Sequence, residues 1–265
     1  MPPVRRPKLG QHFLRDPHFI RRIEESIFLE PGELLVEIGP GRGAMTRRLA
    51  EHAHQLVAIE IDTALADCLK AEFQENPRVD IVRADILETS LRELCGRYGA
   101  KRCFIFGNIP YYITSPILLH LFSARSYIRR MALLLQREVA ERATAGPGSR
   151  EYGSLSVLVQ CESEPRIVLT VPPGAFSPPP KVQSALVDFR MAPRFPEWSA
   201  RTRQQFLNFA RKCFAQKRKN LLNNLAAEYS RAAASRALEA AGLEAASRAE
   251  ELSLEHLARL FAFLQ

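Results

Sequence analysis

The stretch LLVEIGPGRG, residues 34–43, sets the expectation for the fold of this chain. Its first five residues are apolar apart from Glu37, which is typical of a strand buried on both faces. The glycines that follow allow a sharp turn and a close approach of the backbone to a ligand, and a helical pattern begins at Ala44. A strand, a glycine-rich turn and a helix in this order predict the first unit of a doubly wound α/β sheet.

Strand and helix patterns continue to alternate after this turn. Segments with helical spacing, such as AMTRRLAEHA and ALADCLKAEF, separate short apolar runs. The runs that predict further buried strands are LVAIEI (56–61), VDIVR (79–83), CFIFG (103–107) and MALLLQ (131–136). This alternation predicts parallel strands joined by right-handed crossovers, and therefore an open α/β sheet.

The pattern changes twice in the C-terminal half. After the turn at residues 146–148, the runs SLSVLVQC (154–161), RIVLTV (166–171) and VQSALVDF (182–189) predict strands that complete the sheet with antiparallel neighbours. From Thr202 onward the segments FLNFARKCFAQKRKNLLNNL, SRAAASRALEAAG and SLEHLARLFAFL have helical spacing, with a stop at Gly242 and a cap at Ser253. We therefore predict a basic N-terminal segment (1–22), a catalytic domain (23–193) and a small helical domain (194–265).

The composition is that of an ordinary globular protein, with 46% hydrophobic and 25% charged residues among 265. No apolar run reaches the roughly 18–20 residues of a membrane span, and the start MPPVRRPK lacks the apolar core of a signal peptide. We therefore expect a cytoplasmic protein without a membrane partner. Its five cysteines form no C-x-x-C pair, so neither a disulfide framework nor a metal site is indicated.

Positive charge is concentrated at the two ends of the chain. The formal net charge is +8; residues 1–22 hold six basic residues and one acidic residue, and residues 194–265 hold twelve and seven. A localised cationic surface attracts phosphate-rich partners because each neutralised phosphate releases condensed counterions. A solvated surface without a partner is the alternative that charge alone leaves open.

Three carboxylates lie at or near the ends of successive predicted strands: Glu37, Glu60 and Asp85. Each alone is compatible with a helix cap or a solvated strand end. Together they predict an acidic sheet edge, which suits a positively charged adenosine better than a pyrophosphate. The turn also lacks the spacing of dinucleotide binders, and Pro40 has no N–H to offer a phosphate. Both features disfavour a nicotinamide-dependent dehydrogenase.

The fourth strand of this series leads into Asn108-Ile109-Pro110-Tyr111. An amide, a proline-stiffened turn and an aromatic ring can together hold an amino-bearing base. If the Asn108 side-chain oxygen and the Ile109 carbonyl accept the two N–H bonds of adenine N6, its lone pair turns toward an electrophile. Tyr111 would stack on the base. An ordinary turn with a packing tyrosine is the alternative.

The chain resembles a known family at this point, the ribosomal RNA adenine dimethyltransferases. The order and spacing of the matching motifs cover nearly the whole chain, and these motifs are KLGQHFL (8–14), EIGPGRGAMT (37–46), IEID (59–62), ADIL (84–87), NIPYYITSPIL (108–118), FSPPPKVQSALV (176–187) and FAQKRKNLLNNL (214–225). Within the family, Pro40, the FSPPPKVQS segment and the ending RAEELSLEHLARLF (248–261) resemble the housekeeping branch that modifies small-subunit ribosomal RNA. The resistance branch, which acts on large-subunit ribosomal RNA, is the competing assignment.

The resemblance implies a Rossmann-like class I methyltransferase that uses S-adenosylmethionine as its cofactor and needs no metal. The matching cofactor-binding positions are His12, Leu14, Gly39, Glu60, Asp85 and Asn108, with Glu37 and Gly41 as further candidates. Phe176 is expected to stack on the target adenine opposite Tyr111, with a core position as its alternative. Family members often carry Asn where this chain has His12 and Tyr112.

The segment 211–219 has five basic residues and no acidic one, and we expect it to contact RNA from one flank of a helix. Its basic residues are Arg211, Lys212, Lys217, Arg218 and Lys219. The implied reaction places two methyl groups on N6 of each of two adjacent adenosines in the 3′-terminal hairpin of small-subunit ribosomal RNA, during ribosome biogenesis. The implied enzyme is a monomer that acts on a pre-assembled small subunit. A non-enzymatic RNA- or DNA-binding factor on the same fold is a further alternative.

Overall fold

The computed structural model describes residues 11–216 and 219–265 and contains the predicted α/β sheet. The strands in chain order are β1 (Phe13–Leu14), β2 (Leu34–Ile38), β3 (Gln55–Glu60), β4 (Val79–Arg83), β5 (Cys103–Asn108), β6 (Ile128–Gln136), β7 (Ser163–Val171), β8 (Phe176–Ser177) and β9 (Ser184–Met191). Seven of them form one sheet in the order β4-β3-β2-β5-β6-β9-β7, and β1 pairs with β8 separately.

The central strands are parallel, as the sequence predicts. β2 lies between β3 and β5, with Ile38 opposite Ile59 on one side and Gly107 on the other. The chain order reverses between β2 and β5, so a crevice opens at the carboxyl ends of these two strands. β9 runs antiparallel to β6, which confirms the predicted antiparallel completion of the sheet.

Helices alternate with the strands and continue in the C-terminal region. They are α1 (Pro17–Glu24), α2 (Ala44–His52), α3 (Thr63–Phe73), α4 (Leu91–Arg97), α5 (Thr114–Ser123), α6 (Arg137–Thr144), α7 (Ser154–Glu162), α8 (Ala200–Cys213), α9 (Leu221–Leu225), α10 (Arg231–Ala240) and α11 (Leu254–Ala262). Side-chain caps begin several of them: Asp62 accepts from Ala64 N–H before α3, and Ser253 accepts from His256 N–H before α11. The predicted cap at Ser253 is therefore confirmed.

The strand predicted for SLSVLVQC was wrong, because this segment forms helix α7. A short apolar run cannot be assigned to strand or helix by periodicity alone. The Ser156 hydroxyl accepts a hydrogen bond from Gly153 N–H at 3.0 Å and donates one to the Arg142 carbonyl at 2.6 Å. These bonds favour the start of a helix at this position, and the helix is buried on nearly all sides.

The chain divides into two compact units. The first unit consists of the chain up to Ala140 together with Pro165–Met191. The second consists of Glu141–Glu164 and Ala192–Gln265. The sequence analysis assigned residues 141–164 to the catalytic domain, whereas they group here with the C-terminal helices. The reason is that α7 contributes Val157 and Cys161 to the hydrophobic core of the second unit.

The predicted helix through residues 211–219 was also wrong, because α8 ends at Cys213. Asn224 Nδ2 donates to the carbonyls of Cys213 and Gln216 at 2.8 and 3.2 Å, which satisfies backbone groups that a continuing helix would have paired. Asn220 then begins α9 by accepting from Asn223 N–H.

None of the helices in the described parts of the chain reaches the length and apolar character that a membrane span requires.

Candidate active site

A cavity of about 280 Å³ lies in the first unit at the carboxyl ends of the central strands. Its walls come from the N-terminal segment (11–14), the glycine-rich turn, the ends of β3 and β4, and the turn after β5. This is the crevice at which open α/β sheets bind their ligands. The structure therefore brings together at one place the strand ends that the sequence analysis singled out.

The glycine-rich turn has a local steric reason for its composition. Gly41 has a φ of +57°, and a Cβ atom at this position would lie 2.8 Å from Cδ1 of Phe13. The Arg42 guanidinium lies over the Phe13 ring, with Cζ 4.7 Å from the ring centroid. Gly39 N–H donates to the Ile59 carbonyl at 2.9 Å and joins the turn to β3. The turn thus supports the N-terminal segment as well as the cavity.

Glu60 ends β3 and is almost completely buried in the cavity wall. Its carboxylate accepts from Asp62 N–H at 2.9 Å and from Gly41 N–H at 3.0 Å. Burial raises the pKa of Glu60, while these two backbone hydrogen bonds oppose the rise. A carboxylate has about four acceptor positions, so each oxygen of Glu60 can still accept a ligand hydroxyl.

Asp85 follows β4 and is half-buried in the same wall. Its Oδ1 accepts from Leu87 N–H at 2.8 Å. This confirms the cap that the sequence analysis considered for this residue, but the bond occupies only one carboxylate oxygen. Among the described residues, Oδ2 has no hydrogen-bond partner and remains an acceptor for a ligand N–H.

Glu37 lies on β2 and is 2% exposed. Its Oε2 and the Oγ1 of buried Thr46 have no hydrogen-bond partner among the described residues. Burial is the main cause that raises the pKa of Glu37 to about 8; the nearby Thr46 hydroxyl opposes this rise, and the negative charge of Glu60 adds to it. Glu37 therefore places a buried carboxyl group with one unpaired oxygen in the wall of the cavity.

Asn108 ends β5 at the other side of the crevice. Its Nδ2 donates to the His12 backbone carbonyl at 2.9 Å, and this bond orients the amide so that Oδ1 remains an acceptor. The Ile109 N–H donates to the Leu134 carbonyl at 3.1 Å, whereas no described residue donates to the Ile109 carbonyl. Two oxygens without donors therefore follow each other in this turn.

The Tyr111 ring lines the cavity next to these oxygens. Its centroid is 5.6 Å from that of the His12 ring, with the planes inclined by 34°. The phenol hydroxyl is hydrogen-bonded to Ser184 Oγ at 2.6 Å, and burial raises the pKa of Tyr111. Tyr112 is 60% exposed at the cavity wall. The sequence analysis did not single out Ser184, although it lies within the FSPPPKVQSALV motif.

The N-terminal segment is held in place by contacts distant in sequence. β1 pairs with β8, with Leu14 opposite Phe176. The His12 ring nitrogen Nδ1 is 2.8 Å from the Pro178 carbonyl oxygen. His12 and Leu14 line the cavity, as do Gln11 and Phe13, which the sequence analysis missed.

Phe176 does not join this group of residues. Its side chain is 1% exposed, belongs to the hydrophobic core with Leu14 and Phe106, and does not line the cavity. The core position that the sequence analysis gave as the alternative is thus the one observed.

The predicted RNA-binding residues belong to the second unit of the chain, whereas the cavity residues belong to the first. Arg211 and Lys212 occupy the last turn of α8, and Lys212 forms an ion pair with Glu228. Lys219 lies outside the helices and is exposed. Lys217 and Arg218 lie outside the described residues.

A crevice of a doubly wound sheet that combines a glycine-rich turn, acidic strand ends and an Asn-Ile-Pro-Tyr turn defines a class I methyltransferase of the kind that modifies amino groups. The comparisons place the chain more narrowly. The chain belongs to the ribosomal RNA adenine dimethylase family, whose model matches residues 4–265.

Individual relatives agree with this membership. The chain is 47% identical over 261 residues to a protein of Acidobacterium capsulatum described as ribosomal RNA small subunit methyltransferase A, covering 98% of this chain and 91% of the relative. The crystal structure of 23S rRNA methyltransferase ErmE is similar, with a TM-score of 0.72 and 30% sequence identity over 95% of this chain and 99% of that one. A dimethyladenosine transferase from Plasmodium falciparum shares the fold, with a TM-score of 0.79 at 23% identity, over 94% of this chain and 96% of that one.

These findings confirm the fold class and the type of enzyme predicted from the sequence, an S-adenosylmethionine-dependent ribosomal RNA adenine dimethyltransferase. The individual roles of the cavity residues stay predictions.

Proposed function

We propose that this protein dimethylates N6 of two adjacent adenosines in the 3′-terminal hairpin of small-subunit ribosomal RNA, with S-adenosylmethionine as the methyl donor. The assignment to the small subunit is supported by the relative that is 47% identical over nearly the full length. We expect the reaction in the cytoplasm, during ribosome biogenesis, by a monomer acting on a pre-assembled subunit.

The cavity residues suit S-adenosylmethionine, which supplies an electrophilic methyl group on a positively charged sulfur. Glu60 would accept from the ribose hydroxyls, and the free Oδ2 of Asp85 would accept from the adenine amine. The positive charge of a bound cofactor would favour the ionised form of Glu37 and so lower the raised pKa of this buried carboxyl. Gly39 and Gly41 keep part of the wall free of side chains, and His12 and Leu14 line the same cavity.

The target adenine would bind at the Asn108-Ile109-Pro110-Tyr111 turn. The Asn108 Oδ1 and the Ile109 carbonyl, neither of which has a donor among the described residues, would accept the two N–H bonds of N6. This pairing localises the nitrogen lone pair and directs it toward the methyl donor. Stacking on Tyr111 offsets part of the cost of removing the base from its helix. The orientation of the Asn108 amide is the observation that carries this proposal.

We also propose that the C-terminal unit contacts RNA through its basic residues. Arg211 and Lys219 are exposed, and Lys212 keeps a partly exposed ammonium group despite its pair with Glu228. Lys217 and Arg218 belong to the same basic segment by sequence. Cations that neutralise phosphates make binding strongly salt-dependent, which provides a separate check.

The test is to incubate the protein with S-adenosylmethionine and undermethylated small subunits, large subunits or the naked RNA of each. Digestion of each RNA and mass spectrometry of its nucleosides then measure the products. Dimethyladenosine only in small-subunit RNA is the expected result, with more product from the subunit than from naked RNA. Product only in large-subunit RNA would overturn the proposed substrate and assign the chain to the resistance branch.

A further inference from the structure

Ser184 is a buried serine with one side-chain partner. It begins β9, opposite Gln136 of β6, and its residue exposure is 0%. Its Oγ is 2.6 Å from the Tyr111 hydroxyl, and no other described residue pairs with it. Ser184 does not line the cavity, so it reaches the site only through Tyr111.

The backbone of Tyr111 is fixed from a different side. Thr114 Oγ1 lies 3.3 Å from each of the carbonyl oxygens of Pro110 and Tyr111, and Ile113 N–H donates to the Pro110 carbonyl at 3.2 Å. These contacts hold the main chain of the turn but do not involve the tyrosine ring. The ring lies against the His12 ring, and the hydrogen bond to Ser184 holds its far end.

We propose that Ser184 is a positioning residue for methyl transfer. By holding the phenol of Tyr111, it fixes the plane on which the target adenine stacks, and so fixes where the adenine amine lies relative to Asn108. This inference rests on the proposed function, which places the base on Tyr111. Reactions between held partners are sensitive to small misplacements, so loss of the hydroxyl should appear in the rate of transfer.

The contribution of the Ser184 hydroxyl to folding should be small. Ser184→Ala removes one of the two paired hydroxyls, so the folded state loses only the single hydrogen bond between them. A positioning role therefore predicts a loss of rate without a matching loss of stability.

The experiment is a double-mutant cycle of Ser184→Ala and Tyr111→Phe, assayed for dimethylation of undermethylated small subunits. The matched control is Ser163→Ala, because Ser163 is also buried on a strand but donates to the Val159 carbonyl at 2.9 Å. We expect kcat to fall by about three- to tenfold in S184A and in Y111F, and to fall no further in the double variant. The KM for subunits and the Kd for cofactor should change by less than about twofold, because neither ligand touches Ser184.

Independent, additive losses in the two single variants, or an unchanged kcat in S184A, would overturn the inference. A measurement without substrate separates it from the proposed function: the ¹⁹F resonance of 3-fluorotyrosine placed at position 111. S184A should shift and broaden this resonance, whereas S163A should leave it unchanged; an unchanged resonance in S184A overturns the positioning role. A wild-type protein inactive on small subunits would overturn the proposed function, while the resonance would still decide the role of Ser184.

Discussion

The Asn108 side chain donates its Nδ2–H to the backbone carbonyl of His12 across 2.9 Å, between residues 96 positions apart. This bond determines which end of the amide faces the carbonyl of the N-terminal segment and which end remains an acceptor. The N-terminal segment, which lines the cavity, therefore also orients the residue to which we assign the target amine. Cofactor binding and amine binding are expected to depend on each other through this contact.

Replacement of His12 tests that dependence. The His12 ring is 2.8 Å from the Pro178 carbonyl oxygen, which ties the segment to the chain that follows β8. His12→Ala should weaken cofactor binding and slow transfer by about three- to tenfold each, as expected for the loss of one hydrogen bond. His12→Asn keeps a donor and should retain most of both properties. Calorimetry with the cofactor and single-turnover rates measure the two effects, and equal behaviour of the two variants would contradict the assigned contact.

Gly41→Ala should destabilise the N-terminal segment. The new methyl group meets Phe13 at 2.8 Å, in a backbone conformation with a φ of +57°. The matched control is Gly99→Ala, because Gly99 has a φ of +66° with no atom within 4 Å of an added Cβ. We expect the control to lose about 1–2 kcal/mol from backbone strain, and Gly41→Ala to lose more. It should also weaken cofactor binding.

Thermal unfolding and cofactor titration of the two variants check this prediction. Adding Phe13→Ala to Gly41→Ala should recover part of the lost stability, since the clash then disappears. Equal stability losses in the two glycine variants would show that the Phe13 contact does not constrain the turn.

Glu37 should make the stability of the cofactor-free protein depend on pH. Its pKa is about 8 in the folded protein, against 4.5 as the ordinary value, because burial disfavours the carboxylate. The unfolded chain loses this proton first as the pH rises. Protonated Glu37 therefore makes its full contribution to the unfolding free energy below about pH 4.5. This contribution is lost between about pH 4.5 and about pH 8, with a slope of at most about 1.4 kcal/mol per pH unit.

Glu37→Gln should flatten this part of the stability profile, because the amide has no proton to lose. Urea unfolding at intervals between pH 5 and pH 8 measures the slope, with Glu75→Gln as an exposed control. A profile for E37Q parallel to that of the wild type would show that Glu37 titrates normally.

The second unit contains a buried ion pair whose loss should be costly. Arg203 Nη1 lies 2.8 Å from Glu162 Oε2, and both side chains are almost completely buried. Glu162→Gln would leave the guanidinium charge without its partner, so we expect a loss of about 3–5 kcal/mol in unfolding free energy. Glu228→Gln, which breaks the exposed pair with Lys212, should cost less than about 1 kcal/mol. Similar losses in both variants, measured by urea unfolding, would contradict this difference.

Sequence patterns predicted the first half of the fold well because its signals are local. Each strand from β2 to β6 is a short apolar run, and the acidic residues and Asn108 stand at strand ends that a parallel sheet must bring to one edge. The order of elements was therefore enough to predict that these residues meet at one sheet edge, whereas the positions His12 and Leu14 came from the family resemblance.

The errors arose where contacts distant in sequence decide the structure. SLSVLVQC has the composition of a buried strand, but hydrogen bonds of Ser156 and packing in the second unit favour a helix. The end of α8 depends on Asn224, whose side chain reaches back to the Cys213 carbonyl. The position of Phe176 also depends on a contact distant in sequence, because its pairing with Leu14 places it in the core. No periodicity in the sequence reports such contacts.

The most direct test of the account is Asn108→Ala, assayed for dimethyladenosine in undermethylated small subunits and for cofactor binding by calorimetry. The transfer rate should fall by about 10²–10³-fold, the size seen when one group that stabilises a transition state is removed. The Kd for cofactor should change by less than about tenfold, since Glu60 and Asp85 remain in place. A variant that keeps more than half of the wild-type rate would contradict the role assigned to Asn108.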